Sequence, residues 1–317
     1  MIRAKVCDLL KIQYPVFGGA MAYISDGTLA GALSKAGGFG IIACLGHTAD
    51  SLRDEIRKAR ILTKNPIGVN LMMKSPHIED YVRVITEEHI AGVTTGAGNP
   101  LPIMPRLKEA GVRVFPVVPN QKLAVRMQEN GADGVIVEGM EAGGHIGDMT
   151  TMALVPQVAD AVSIPVLAAG GIGDGRGLAA ALMLGAGGVQ IGTRLMTVKE
   201  CRIHDKAKER LMEADGSETL HLGKGTSHSV RVLKSKLTEK LAAMELAGAD
   251  SKEKEELQQG SYQKAVDEGE MTGGYLPIGQ IVGLLKKQDT ADDMMQELIK
   301  EAEAALEKGK ALLNCGP

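Results

Sequence analysis

Tryptophan is absent from this 317-residue sequence, and aromatic residues of all kinds make up only 3% of it. That scarcity excludes an aromatic stacking platform, and with it the usual way of gripping single-stranded nucleic acid. Charge of one sign is missing as well. The formal net charge is −3, so no global positive field draws in nucleic acid or anionic membrane. No apolar run approaches the ~18 residues a membrane helix needs. The opening MIRAKVCDLLKIQYP lacks the basic-then-apolar order of a secretion signal, and a cytoplasmic protein is expected. Cysteine is sparse: Cys7, Cys44, Cys201 and Cys315 form no C-x-x-C pair, which argues against a zinc site or a disulfide framework. Cys44 and His47 lie close together in IIACLGH, but no second pair completes a metal site, and no metal is assigned.

What the sequence has in quantity is glycine, 40 residues of it, within a chain that is 44% hydrophobic. Short β-rich apolar runs alternate with longer helical segments, the pattern of a parallel sheet with crossover helices. Eight strands are expected: Pro15 to Gly18, Gly40 to Ala43, Ile67 to Leu71, Gly92 to Thr95, Val112 to Val117, Gly134 to Val137, Pro165 to Ala168 and Gly188 to Ile191. Helices are expected at Asp26 to Ala36, Thr48 to Leu62, Asn120 to Asn130, Met149 to Ala161 and Asp174 to Leu184. In KAGGFGII, ENGADGVIV and LGAGGVQIG a glycine turn follows a helix and feeds a strand, which marks the helix-to-strand side of the units and leaves the opposite side for a site. Eight units in so short a span predict an α/β chain closed into a (β/α)8 TIM barrel. The competing open doubly wound sheet needs G-x-G-x-x-G after the first strand, which FGGAMAYIS does not supply.

After Ile191 the alternation stops. Residues 1–200 are read as the barrel and 201–317 as an appended C-terminal helical subdomain, with helices at Lys206 to Met212 and Leu233 to Leu246. A mobile linker is expected near 248–260, and a cover helix from Ala291 to Leu313.

The strongest chemical signal is the pair PVLAAGGIGDG and GVQIGTR after the seventh and eighth strands. Loops there commonly bind phosphate in such barrels, because glycine lets backbone N–H groups converge. Gly170, Gly171, Gly173, Gly192 and Thr193 are candidate phosphate ligands, although a tight turn explains any one glycine alone. Asn70 and Glu138 end their strands and can bond hydroxyls or a polar ring edge; a turn-forming amide and a solvated carboxylate are the plain alternatives. His145 sits in the glycine-rich EAGGHIG, where an imidazole can hold a proton near neutral pH for donation. His228, with Arg231 after it in GTSHSVR, is its rival. His77, His89, His204 and His221 read as solvated, and His47 as a residue of the pocket mouth. No serine or cysteine nucleophile motif is present.

FGGAMAYISDGTLAGALSKAGGFGII, GVNLMM, TTGAGNP, EGMEAGGHIG, AAGGIGDG, VQIGTR, SHSVRVLKSKLT and GQIVGLL, in this order, closely resemble the enoyl-acyl carrier protein reductase II family. More distantly, the chain is similar to the nitronate monooxygenases. The resemblance implies FMN at the barrel mouth, its phosphate at Gly171, Gly173, Gly192 and Thr193. Gly18, Gly19, Met21, Asn70, Glu138, Gly144 and Gln190 would surround the rest of the cofactor, and His145 would be the catalytic proton donor. It also implies NADH, with NADPH possible, as reductant, hydride transfer from flavin to a trans-2-enoyl thioester on acyl carrier protein, a role in fatty acid biosynthesis, and a homodimer. Arg231, Lys234 and Lys236 either dock the acidic carrier or form a solvated helix face. IIACLGHT departs from the glycine-richer turn of the family, which puts Cys44 and His47 in the pocket wall. The rivals are a nitronate monooxygenase, with no need of reduced nicotinamide, and a non-redox phosphate-binding barrel.

Overall fold

The computed structural model describes residues 2–226 and 229–313. Its strands, in chain order, are β1 Val16–Gly18, β2 Gly40–Ala43, β3 Ile67–Met72, β4 Gly92–Gly96, β5 Arg113–Val118 and β6 Val135–Glu138. These are followed by β7 Gly144–His145, β8 Val166–Ala169, β9 Gly188–Ile191, β10 Thr219–Leu222 and β11 Val230–Leu233. Eight of them form one parallel sheet in the order β1-β9-β8-β6-β5-β4-β3-β2. Its two ends meet through Phe39, next to β2: Phe39 N–H donates to Val16 O at 2.8 Å, and Gly18 N–H donates to Phe39 O at 2.9 Å. Each of the eight expected strands is present, and the fold is a (β/α)8 barrel with a helical C-terminal region.

Local chemistry sets the helix ends. Asp26, Thr48, Asn120 and Asp174 each cap a helix by accepting from backbone N–H groups of its first turn. At the other ends Gly37, Gly131 and Gly185 take φ of +94°, +85° and +96°, the left-handed turns expected from the glycines that feed the strands. Helices Lys5–Leu10, Ile78–Glu87 and Met104–Glu109 were not among those expected.

Partner residues of a parallel ladder point to one face, so the register tells which side chains fill the barrel. All three phenylalanines of the chain lie inside it. Phe17 packs on Phe39 at 4.8 Å and on Phe115 at 5.3 Å between ring centroids. The helix Lys5–Leu10 closes the bottom, with Val6, Cys7 and Leu10 in the same cluster. Leu10 lies against Gly92, the first residue of β4. A larger apolar layer joins the outer faces of the strands to the helices. The helix Ala291–Leu313, found over the expected range, covers the helices Gly175–Met183 and Gly27–Lys35, and Glu301 accepts from Gly175 N–H at 2.9 Å.

Three expectations for the C-terminal region need correction. It is not only helical: β10, β11 and β7 form an antiparallel sheet. The helix expected to start at Leu233 starts at Lys236, because Val230–Leu233 is drawn into that sheet and Ser235 caps the helix through Thr238 N–H. The expected linker contains the helix Ser251–Gln258, capped by Asp250; its Lys and Glu residues favour helix, and Leu257 packs it against the cluster around Leu241 and Tyr275.

Candidate active site at the barrel mouth

The C-terminal ends of the barrel strands carry inward-facing polar groups over the phenylalanine floor. Register aligns Glu138 with Ala169, Ala169 with Gln190, and Gln190 with Phe17, so Glu138 and Gln190 face the interior from strands two apart, roughly 10 Å from one another. On the far wall Asn70 pairs with Thr94. The Asn70 amide donates to Thr94 Oγ1 at 2.9 Å, which turns its carbonyl oxygen away from that partner. Asn70 lies within β3 rather than at its end, since the strand runs on to Met72; the turn-forming alternative does not hold.

Among the described residues no protein donor meets the Glu138 carboxyl or Asn70 Oδ1, and the Gln190 amide has no hydrogen-bond partner. Burial pushes the Glu138 carboxyl up to about 8. Groups this sheltered are nearly always partnered in folded proteins. No fully enclosed side-chain atom lacks a partner among the described residues, so these unmet groups are reachable from the mouth, where a polar ligand can meet them.

The glycine turns supply the anion-binding part. Gly170 and Gly171 take φ of +85° and +75°. No acceptor among the described residues meets the N–H groups of Gly171, Ile172, Gly173 and Thr193. The neighbouring helix does not contribute its own N-terminus. Asp174 takes Arg176 N–H and Gly177 N–H, and Glu301 takes Gly175 N–H. The converging donors therefore belong to the loops after β8 and β9, which suits a phosphate. Thr193 Oγ1 accepts from Gly279 N–H at 2.8 Å and keeps its own proton to donate. Gly173 lies against Ile281, where a Cβ would sit 3.0 Å from the Ile281 Cβ.

Gly18 ends β1 and Gly19 follows it. Gly19 N–H donates to Ile191 O at 2.7 Å, and a Cβ on Gly19 would meet Gly192 Cα at 3.0 Å, so the loops after β1 and β9 touch backbone to backbone. Met21 lies over Gly192. Ser25, not singled out in the sequence, fixes this turn: its hydroxyl donates to Gly19 O and accepts from Met21 N–H.

Gly144 and His145 form β7, paired with Arg231 and Val230 of β11. Gly144 has φ +80°, and His145 is exposed. Gly143 is pressed on Ile278 and Gly279, where a Cβ would come within 2.5 Å of the Ile278 carbonyl carbon. Thus a segment more than a hundred residues downstream shapes the histidine turn, a contact with no local sequence signal. The rival His228 lies outside the described residues. Arg231 is buried at 5% exposure. It belongs neither to a docking face nor to a solvated helix, because it lies on β11 and donates to Met140 O and Thr219 Oγ1.

His77 and His89 are exposed as expected, but His204 and His221 are half-buried and bonded, His204 capping a helix and His221 Nε2 lying 2.6 Å from Ser229 Oγ. Cys44 is buried beside Met72 N–H, with burial raising its thiol pKa, and is a packing residue. His47 is half-buried, its Nδ1 3.1 Å from Ser51 Oγ, and burial lowers its pKa.

The nitronate monooxygenase family model matches residues 3–301. FabK from Thermotoga maritima shares 41% identity with a TM-score of 0.95, covering 98% of this chain and 100% of that one. A nitroalkane oxidase from Streptomyces ansochromogenes shares 27% identity with a TM-score of 0.84, covering 96% of this chain and 99% of that one. A Mycobacterium tuberculosis protein, (3aS,4S,5R,7aS)-5-hydroxy-7a-methyl-1-oxo-octahydro-1H-indene-4-carboxyl-CoA dehydrogenase, is 38% identical, over 76% of this chain and 68% of its own. A probable nitronate monooxygenase of Staphylococcus aureus is 32% identical, over 68% of this chain and 74% of its own. The chain belongs to the nitronate monooxygenase family of oxidoreductases, and within it is similar to FabK.

Proposed function

We propose that this protein is an FMN-dependent enoyl-acyl carrier protein reductase that takes electrons from NADH, with NADPH as the alternative donor, and reduces trans-2-enoyl thioesters in fatty acid biosynthesis. The observation that carries the reading is the similarity to FabK along nearly the whole of both chains. The FMN part rests on the mouth itself, where free backbone donors at Gly171, Gly173 and Thr193 suit a phosphate. Asn70, Glu138 and Gln190 offer unmet polar atoms to ribityl hydroxyls and ring edge, Gly18, Gly19, Met21 and Gly192 line the close approaches, and Gly144 leaves space beside His145. A thioester substrate also fits the M. tuberculosis relative, whose name is that of a CoA-linked enzyme.

Bound flavin supplies hydride transfer, which no side chain can perform. The chain's own residues divide the rest of the work. The glycine loops hold the phosphate, and Glu138, Asn70 and Gln190 orient the ligand over the phenylalanine floor. His145, carried on β7 at the open edge, holds the proton that ends on the α-carbon of the reduced thioester. We propose that the protein acts in the cytoplasm, as a homodimer, on substrate carried by acyl carrier protein. Lys234 and Lys236 are the remaining basic candidates for that contact, since Arg231 is buried.

The test is an anaerobic stopped-flow record of flavin absorbance on mixing with NADH and then with crotonyl thioester. Bleaching followed by recolouring is the expected result. Bleaching without recolouring favours the second reading, a nitronate monooxygenase, which the family model and the S. aureus relative support. Protein purified without flavin and unable to bind it would overturn both.

A further inference from the structure

Two arginines near the barrel mouth are buried, and they are treated differently. Arg194, at 8% exposure, has Asp289 at 2.8 Å. Arg231, at 5%, has no carboxylate within ion-pair distance among the described residues. Its Nε donates to Met140 O at 3.0 Å and its Nη1 to Thr219 Oγ1 at 3.0 Å. A guanidinium is costly to bury without a counter-charge, and an apolar side chain of similar volume in its place is often neutral or stabilising. Burial works against the charged form here, and Glu141 is the one charge that favours it. The arrangement calls for a task beyond packing.

The guanidinium holds the loop that bears His145. Met140 lies just after β6, and His145 ends β7 five residues on. The backbone of Arg231 pairs with Gly144, and its side chain reaches back to Met140, so one residue spans the loop at two points. Beyond the imidazole, Ile146 N–H donates to Ser229 O at 3.0 Å, and Ser229 is itself held by His221. Gly139, Gly143, Gly144 and Gly147 give the segment unusual conformational freedom, which must be removed from outside the loop. Small misplacements of a reacting group cost large factors in rate.

We propose that Arg231 is a positioning residue for His145: its guanidinium, anchored on Thr219 and bonded to Met140 O, fixes the loop that presents the imidazole to substrate. The proposal rests on the reading of His145 as proton donor. It concerns a residue whose side-chain bonds go to the chain itself, to Met140 O and Thr219 Oγ1.

The experiment compares Arg231→Met, Arg231→Lys and Thr219→Val in the full-length, FMN-loaded protein. Arg231→Met is expected to lower kcat for crotonyl thioester by about 10- to 100-fold with KM nearly unchanged. Arg231→Lys, which can still donate to Met140 O, recovers most of the loss. In a His145→Ala background Arg231→Met has no further effect, because it acts through the imidazole. Hydrogen exchange at residues 140–146, measured without substrate, quickens in Arg231→Met and not in the rest of the barrel. Unchanged kcat, a loss of equal size in the His145→Ala background, or unchanged exchange would overturn the proposal. Should Arg231→Met fail to fold, Thr219→Val and Arg231→Lys carry the same comparison with smaller losses. A wild-type protein inactive on thioesters sinks the reductase reading alone, since the exchange measurement needs no substrate and the same cycle can be run on nitroalkane oxidation.

Discussion

Burial at the barrel wall pushes the Glu138 carboxyl from 4.5 up to about 8, which favours its protonated form. Between those values the folded chain binds one more proton than the unfolded chain. The contribution of this group to stability is therefore fullest below about pH 4.5, falls as pH rises through the window, and levels off above about pH 8. The flavin-free protein should show this slope in its melting temperature, and Glu138→Gln should flatten it. Parallel profiles for the two proteins would mean that the carboxyl is ionised and solvated. His145→Ala is expected to lower kcat by ~10²–10⁴-fold, the usual contribution of a general acid. Because the glycine turns proposed to hold the phosphate follow β8 and β9 rather than β7, flavin absorbance of the variant should match the wild type. Full turnover in a variant that still binds flavin would remove His145 from the reaction.

Among the elements, the turn after β8 shows how glycine serves a site as well as a bend. Gly170 has φ +85°, and a Cβ there would meet Gly139 O at 2.8 Å; Gly111 has φ +75° with open space around it. Gly111→Ala should cost only the left-handed backbone penalty of about 1–2 kcal/mol. Gly170→Ala should cost more, by denaturant midpoint, and should also weaken FMN binding. Equal losses and unchanged affinity would reduce the turn to plain geometry. These glycines were legible because backbone conformation leaves a local residue signature. The C-terminal region was not: LKSKLTEKLAAMEL reads as helix throughout, yet Leu233 and its predecessors join a sheet whose third strand lies between β6 and β8. Propensity is local, and edge pairing with a distant loop overrides it.

In the molecule as a whole, the barrel holds together from the inside on its few aromatics. Phe17 of β1 touches both Phe39, next to β2, and Phe115 of β5. Phe17→Ala should lower stability by about 3–5 kcal/mol, read from denaturant unfolding, since the rigid wall cannot collapse into the space. A loss below about 1 kcal/mol would show the interior to be loosely packed. The sequence by itself determined the eight strands, their parallel alternation with helices, the glycine turns and the resemblance on which the functional reading stands. Those follow from periodicity and backbone preference, which act over a few residues. Tertiary structure alone decided that Glu138 is stripped of partners and that Arg231 is buried behind the histidine loop. It also decided that β7 is held by β11 and that Cys44 is a packing residue. Each depends on desolvation or on contacts between segments far apart in sequence, which only the closed barrel brings together.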